Sequence, residues 1–322
     1  MIFNSKYPIL EACMNRGSTI ELALAVHDAG AYPSLCSWSY DGNVELFEKD
    51  IKTFINETKS NNIHISFQPD ERLSSSDLNE KILNLIYEYN IPTIEVIFGK
   101  YNSLHDEFKY RNLESENFYD KKIISFTEPL YKKGITVLQR TTRLHNKAHI
   151  DKYHLHGLCI KGNGASGFTS KWSTEQLWKA QKKLTPEIIL IPYGGVSTSD
   201  KVKMYLEDGA LVIGVGSRFA FSKESPISET AKKKVIENTV DKIDPFIHNQ
   251  KTIIYQNALR FKKSINSTDD INSTKSLMLG LYSNTEVGHV YVGNSINTIT
   301  ELLSCKEIVN DLMKGVIWKQ II

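Results

Sequence analysis

The chain has 322 residues, 41% of them apolar, with a formal net charge of +2. That length buries a large core, and a single α/β barrel of about 250 residues fits within it, so two domains are not required. Near-neutral, interspersed charge argues against nucleic-acid or membrane partners, and no run approaches the ~18 apolar residues of a membrane span. Residues Met1–Tyr7 lack the apolar core of a signal peptide. Cys13, Cys36, Cys159 and Cys305 form no C-x-x-C pair, so no metal site is expected and a reducing, cytoplasmic setting is.

Eight short apolar runs punctuate the first two thirds: Pro8–Ala12, Tyr32–Cys36, Ile63–Phe67, Ile94–Phe98, Ile135–Gln139, Gly157–Lys161, Ile188–Pro192 and Leu211–Val215. Several are apolar on both faces (IEVIF, GITVL, IILIP), as parallel strands covered on both sides require. Helical periodicity fills the gaps. Thr19–Ala29 follows Ser18 as a candidate N-cap and stops at Gly30. A helix opening at Ser74–Asp77 runs to about Tyr89, with Ile82, Leu85 and Ile86 on one face. Ser173–Leu184 begins with a capping box, and Ser197–Asp208 ends at Gly209. The polar stretch Tyr101–Asp120 reads as an inserted loop. Strand then helix, eight times over, predicts a (β/α)8 TIM barrel, with an open doubly wound sheet as the competing arrangement. The strand rhythm stops after Phe219. The expected division is a barrel of residues 1–221 plus 286–322 and a helical insertion or lid over 222–285.

In such a barrel the site lies where the strands end. The seventh expected strand is followed by Gly194 and Gly195, the eighth by Gly214, Val215, Gly216 and Ser217. Two glycine loops after the last two strands let backbone N–H groups approach a phosphate closely. The sixth is followed by Lys161-Gly-Asn-Gly-Ala-Ser166-Gly-Phe168, which lacks the Gly-Lys-Ser/Thr of an ATP or GTP loop. Ala12, Cys13 and Met14 follow the first strand, Ser66 ends the third and Gln139 the fifth. Arg140, His289 and the Trp38–Tyr40 stretch are placed to reach the pocket. His27 reads as a packed or surface residue of the first helix. His145 and His149 have metal-ligand spacing without a third ligand and read as a solvated helix face. His154 and His156 precede the sixth strand, at the barrel's opposite end.

The opening PILEACMNRGSTIELALAVHDAGAYPSL, the block IPYGGVSTSDKVKMYLEDGALVIGVGSRFAFSKESP and the closing HVYVGNSINTITELLSCKEIVNDL resemble the nitronate monooxygenase (2-nitropropane dioxygenase) family in order along the chain. The resemblance implies an FMN-dependent TIM barrel. By position it implies flavin contacts at Ala12, Cys13, Met14, Ser66, Lys161 and Ser166; Gln139, from its place after the fifth strand, is a further expected cofactor residue. The resemblance implies phosphate contacts at Gly194, Gly195, Gly214, Val215, Gly216 and Ser217. Where the family's sixth-strand loop carries a Glu and then the His proposed as general base, this chain has Gly164 and Phe168, and it has Lys161 where the family has Gln. Phenylalanine cannot take a proton. The catalytic group is therefore open, with Lys161, Arg140 and His289 as candidates.

The leading expectation is an FMN-dependent oxidoreductase that oxidises a small carbanionic substrate at the flavin with O2 as acceptor. The alternatives are an enoyl-thioester (enoyl-ACP) reductase-like enzyme using NAD(P)H, and a non-catalytic or partner-dependent FMN-binding component. A homodimer is left open.

Overall fold

The computed structural model describes residues 2–69, 76–98, 113–237, 244–247, 255–260, 277–278, 281–282 and 289–318. Eight parallel strands form the barrel wall: β1 Ile9–Glu11, β2 Ser34–Cys36, β3 His64–Phe67, β4 Thr93–Val96, β5 Thr136–Thr141, β6 Gly157–Lys161, β8 Ile189–Tyr193 and β9 Ile213–Val215. Their order is β1-β9-β8-β6-β5-β4-β3-β2. Tyr32 closes the ring from the other edge by bridging Leu10; its N–H donates to the Ile9 carbonyl at 2.7 Å. Each of the eight expected apolar runs overlaps one of these strands.

Alternation along the strands divides their side chains. Leu10, Tyr32, Leu138, Cys159, Ile191 and Tyr193 cluster together inside the barrel. Ile65, Ile94, Val96, Val137, Leu158 and Ile160 belong to the outer core, against the helices. Those helices are α1 Ile20–Asp28, α2 Val44–Thr58, α3 Ser76–Glu88, α4 Leu113–Lys132, α5 Lys147–Lys152, α6 Thr174–Leu184, α7 Ser199–Glu207 and α10 Cys305–Leu312. Ile82, Leu85 and Ile86 of α3 are buried as their spacing requires, and α6 closes both halves of its capping box. Among the described residues no helix is long and apolar enough to cross a membrane.

Three expectations change. Ser18 is not the N-cap of α1: Thr19 is, because the Ser18 hydroxyl donates to Glu11 Oε1 at 2.7 Å and accepts from the Met14 N–H at 3.0 Å. Residues 113–120, expected in a loop, open α4, whose later turns bury Ile123, Phe126 and Leu130 at about 2 kcal/mol each. Residues 101–112 lie outside the described residues. The 222–285 segment is not helical throughout. It contains α9 Glu229–Glu237, but also β10 Asp244–Ile247 and β11 Tyr255–Arg260. Strand β11 pairs antiparallel with β10, with β12 His289–Tyr291 and with β7 Gly167–Thr169. Neither DPFI nor YQNALR alternates long enough to announce a strand; distant partners impose the extended form.

Candidate active site

At the C-terminal ends of the barrel strands lies a cavity of about 250 Å3. One end is walled by bare backbone. Gly194 and Gly195 follow β8 with φ of +92° and +72°, a region open to glycine at no steric cost. A Cβ on Gly194 would fall 2.3 Å from Ala165 Cβ, and one on Gly293 would fall 2.5 Å from the Gly164 carbonyl oxygen. The loops after β6 and β8 and the closing segment therefore meet main chain to main chain. The Asn294 N–H donates to the Gly164 carbonyl at 2.9 Å, and the Gly293 N–H to Ser217 Oγ at 2.9 Å. Lys201 of α7 donates to the Gly195 carbonyl at 2.7 Å. Gly216, which opens the short helix α8 Ser217–Ala220, is different. A Cβ there would meet nothing nearer than Ala12 Cβ at 3.8 Å, so packing does not demand this glycine and the space in front of it belongs to the cavity.

The deep end is built from charged side chains on neighbouring strands. Arg140 of β5 is ion-paired to Glu95 of β4, and its Nη2 donates to the Cys13 carbonyl at 3.0 Å. Ser66 donates to Glu95 Oε1 at 3.1 Å, and His64 Nε2 lies 3.9 Å from Glu95 Oε2. Burial opposes the Glu95 charge, but Arg140 and His64 outweigh it and hold the carboxyl well below the usual range. Burial likewise works against the Arg140 guanidinium, which Glu95 keeps firmly ionised. Breaking such a pair from one side costs about 3–5 kcal/mol. Lys161, at the end of β6, donates to the Ser166 carbonyl at 2.8 Å. Desolvation and the nearby Arg140 push its amine down to about 7, against the pull of Glu95.

Facing the insert, the wall is apolar: Phe168, Ile227, Leu277, Leu281 and Val290 line it, with Tyr291 alongside. Trp38 Nε1, Arg140 Nε and Tyr193 Oη, all on cavity-lining residues, are buried with no protein partner. A buried donor without an acceptor is costly, so such groups point to a bound molecule that completes them.

Ten expected cofactor residues line this one cavity: Ala12, Cys13, Met14, Lys161, Ser166, Gly194, Gly195, Gly214, Gly216 and Ser217. Phe168, Arg140 and Trp38 join them. Three do not. Gln139 faces outward from β5, where its Oε1 lies 2.6 Å from His149 Nε2. Val215 packs in the outer core, because Gly214 takes the inward position on β9. Ser66 points inward but below the cavity, where it is spent on Glu95. The His289 side chain lies outside the described residues. His145 and His149 stack at 3.8 Å on the outer layer, bonded to Thr141 and Gln139. His27 packs edge-on against Phe54, and His156 Nδ1 accepts from the Val137 N–H.

Sequence reasoning missed Glu95, His64 and Tyr193. The one signal for Glu95 was a charge inside the apolar run TIEVIF. The polar atoms of Cys13, His64 and Glu95 lie within 4.8 Å of one another. Arg140 already supplies the cation that Glu95 requires, so no metal is assigned there.

Fold and cavity together define a TIM barrel whose last two strands present glycine loops to a ligand. The family model for nitronate monooxygenase matches residues 1–315. The chain belongs to the nitronate monooxygenase family, and with it to the oxidoreductases. A search of curated protein sequences finds no match. Among solved structures it resembles FabK from Thermotoga maritima, with TM-score 0.74 and 17% identity over 97% of this chain and 93% of that one. It also resembles a nitroalkane oxidase from Streptomyces ansochromogenes, with TM-score 0.67 and 12% identity over 96% and 95%. The enoyl reductase domain of MlnA from Bacillus amyloliquefaciens gives TM-score 0.67 and 10% identity over 97% and 94%. At these identities the likeness is one of fold.

Proposed function

We propose that the cavity binds FMN and that the protein is a flavin-dependent oxidoreductase of the nitronate monooxygenase type, acting on a small carbanionic substrate with O2 as acceptor. One observation carries the reading: three backbone-walled loops converge on a single cavity whose other wall holds buried donors without protein acceptors. The residues suit the group. The Gly194–Gly195 and Gly216–Ser217 loops would take the phosphate on bare backbone. Ala12, Cys13 and Met14 give small and polarisable surface for a flat ring. Trp38, Arg140, Lys161 and Tyr193 offer hydrogen bonds and positive charge to its polar edge. Bound FMN would supply the two-electron chemistry. The chain's own part is to hold substrate in the cavity, with Arg140 favouring negative charge at the deep end.

The apolar wall formed by Phe168, Ile227, Leu277, Leu281 and Val290 favours a second reading, reduction of an enoyl thioester by NAD(P)H, with the acyl chain against that wall. Flavin absorbance separates the two. Bleaching by an alkyl nitronate, with colour restored by air, supports the first. Bleaching by NADH or NADPH, restored by an enoyl thioester, supports the second and removes the first.

A further inference from the structure

The loop where the family carries its proposed base is not an open loop here. Phe168 sits in β7, hydrogen-bonded into the small sheet of the insert opposite Gln256, and its ring forms part of the cavity wall. An aromatic ring there shapes the cavity but moves no proton. The question is which group on the same wall does.

Lys161 is placed for it. It is the last residue of β6, and its side chain reaches across the turn that follows to the carbonyl of Ser166, two residues short of Phe168. The amine thus lies against the loop that leads into Phe168, on a residue of the cavity wall and anchored by one hydrogen bond. The charged groups that act on it are Arg140 on β5 and Glu95 on β4, and Tyr193 on β8 and Cys13 after β1 line the same cavity. None of these can replace it near neutral pH. Burial pushes the Cys13 thiol and the Tyr193 phenol well up, and Glu95 keeps Arg140 ionised. Among the described lining residues with shifted ionisation, Lys161 alone moves toward neutrality, to about 7. A proton-transfer group works best when its pKa lies near the operating pH.

We propose that Lys161 is the catalytic base of this site, taking over the proton transfer that the family assigns to an imidazole. The proposal rests on the flavoenzyme reading above and names the residue that readies its substrate. The substrate is a carbon acid with an electron-withdrawing group next to the acidic carbon. The neutral amine of Lys161 takes the proton: the C–H bond breaks, an N–H bond forms, and the electron pair stays on the substrate as a carbanion. The ammonium so formed donates to the Ser166 carbonyl and is favoured by the Glu95 charge, while Arg140 favours the new anion.

The test is hydrogen–deuterium exchange at the α-carbon of nitroethane in D2O, followed by NMR with the protein as purified. This reports proton transfer without requiring net redox turnover. Wild-type protein should accelerate exchange, with the rate rising through pH ~7, and Lys161→Met should lower it by about 100-fold or more. Lys161→Gln, the amide the family carries, should lower it equally. Because Lys161 also lines the cofactor cavity, exchange rates are compared per bound flavin, read from absorbance. In parallel, acetic anhydride should label Lys161 with a pH midpoint near 7, read by peptide mass spectrometry. Exchange undiminished in both variants, no acceleration by the wild type, or a labelling midpoint at the ordinary lysine value near 10 would overturn the proposal. Protein that takes up no flavin yet exchanges through Lys161 would instead overturn the cofactor reading and leave the base assignment standing.

Discussion

The two ends of the cavity are built on opposite principles. At one end, Gly164, Gly194, Gly195 and Gly293 bring three loops together as bare backbone, and side chains are excluded by contacts as short as 2.3 Å. At the other, Arg140, Glu95, His64 and Lys161 crowd charged and polar side chains into the barrel interior. Backbone amides suit an anionic group whose charge does not change. Side chains set protonation and charge, which a change of reaction would alter. One cavity thus joins a backbone wall fixed by packing to an end whose charge a few side chains can reset.

The deep end is where a single change should cost most. Glu95→Gln leaves Arg140 buried beside a neutral amide and should lower stability by about 3–5 kcal/mol in chemical denaturation. Glu95→Gln with Arg140→Met should recover most of that loss, since no lone charge then remains. If the double variant is no better than the single, the pair is not what stabilises that end.

At the backbone end the prediction is one of contrast. Gly194→Ala meets both a left-handed φ and a clash with Ala165, and should cost about 2 kcal/mol or more. Gly216→Ala has room and should stay within about 0.5 kcal/mol of wild type. Equal effects would remove the distinction drawn between a packed glycine and a cavity-facing one. Across the wall, Phe168→His should raise turnover of neutral nitroalkanes by about tenfold, below the full range for a well-placed base. Unchanged turnover would separate residue 168 from the chemistry.

A pH-dependent effect lies outside the cavity, at the end of β1. Burial raises the Glu11 carboxyl to about 8, against hydrogen bonds from Ser18 and Ser34. The folded state therefore holds a proton that the unfolded chain releases above about 4.5. Stability should fall as pH rises from about 5 toward 8, by at most about 1.4 kcal/mol per unit. Glu11→Gln should flatten that slope; a slope that persists in the variant must come from other groups.

The sequence made the barrel legible because its strands are apolar on both faces and its helices carry clear caps, such as the Ser173 box. The backbone end was legible for a related reason. Glycine pairs after the last two strands leave a mark in one dimension. The deep end was only half legible: Arg140 and Lys161 stood out as candidates, but Glu95 and His64 did not, because the four are contiguous only across four strands. The side chains of Gln139 and Val215 face outward, a phase of the β alternation that spacing alone does not set at a strand's end. Strands β10 and β11 were illegible because their extended form depends on β7 and β12, not on their own residues.

The central claim is that the glycine-walled cavity holds FMN. It is tested most directly by titrating FMN into the purified protein and its Gly216→Asp variant, with absorbance and binding read together. The wild type should be yellow, or become so, with one FMN per chain. The variant should fold with the same circular dichroism and bind at least about 100-fold more weakly, because a carboxylate would face the phosphate. A colourless wild type that ignores FMN, or a variant that binds it as tightly as the wild type, would contradict the account.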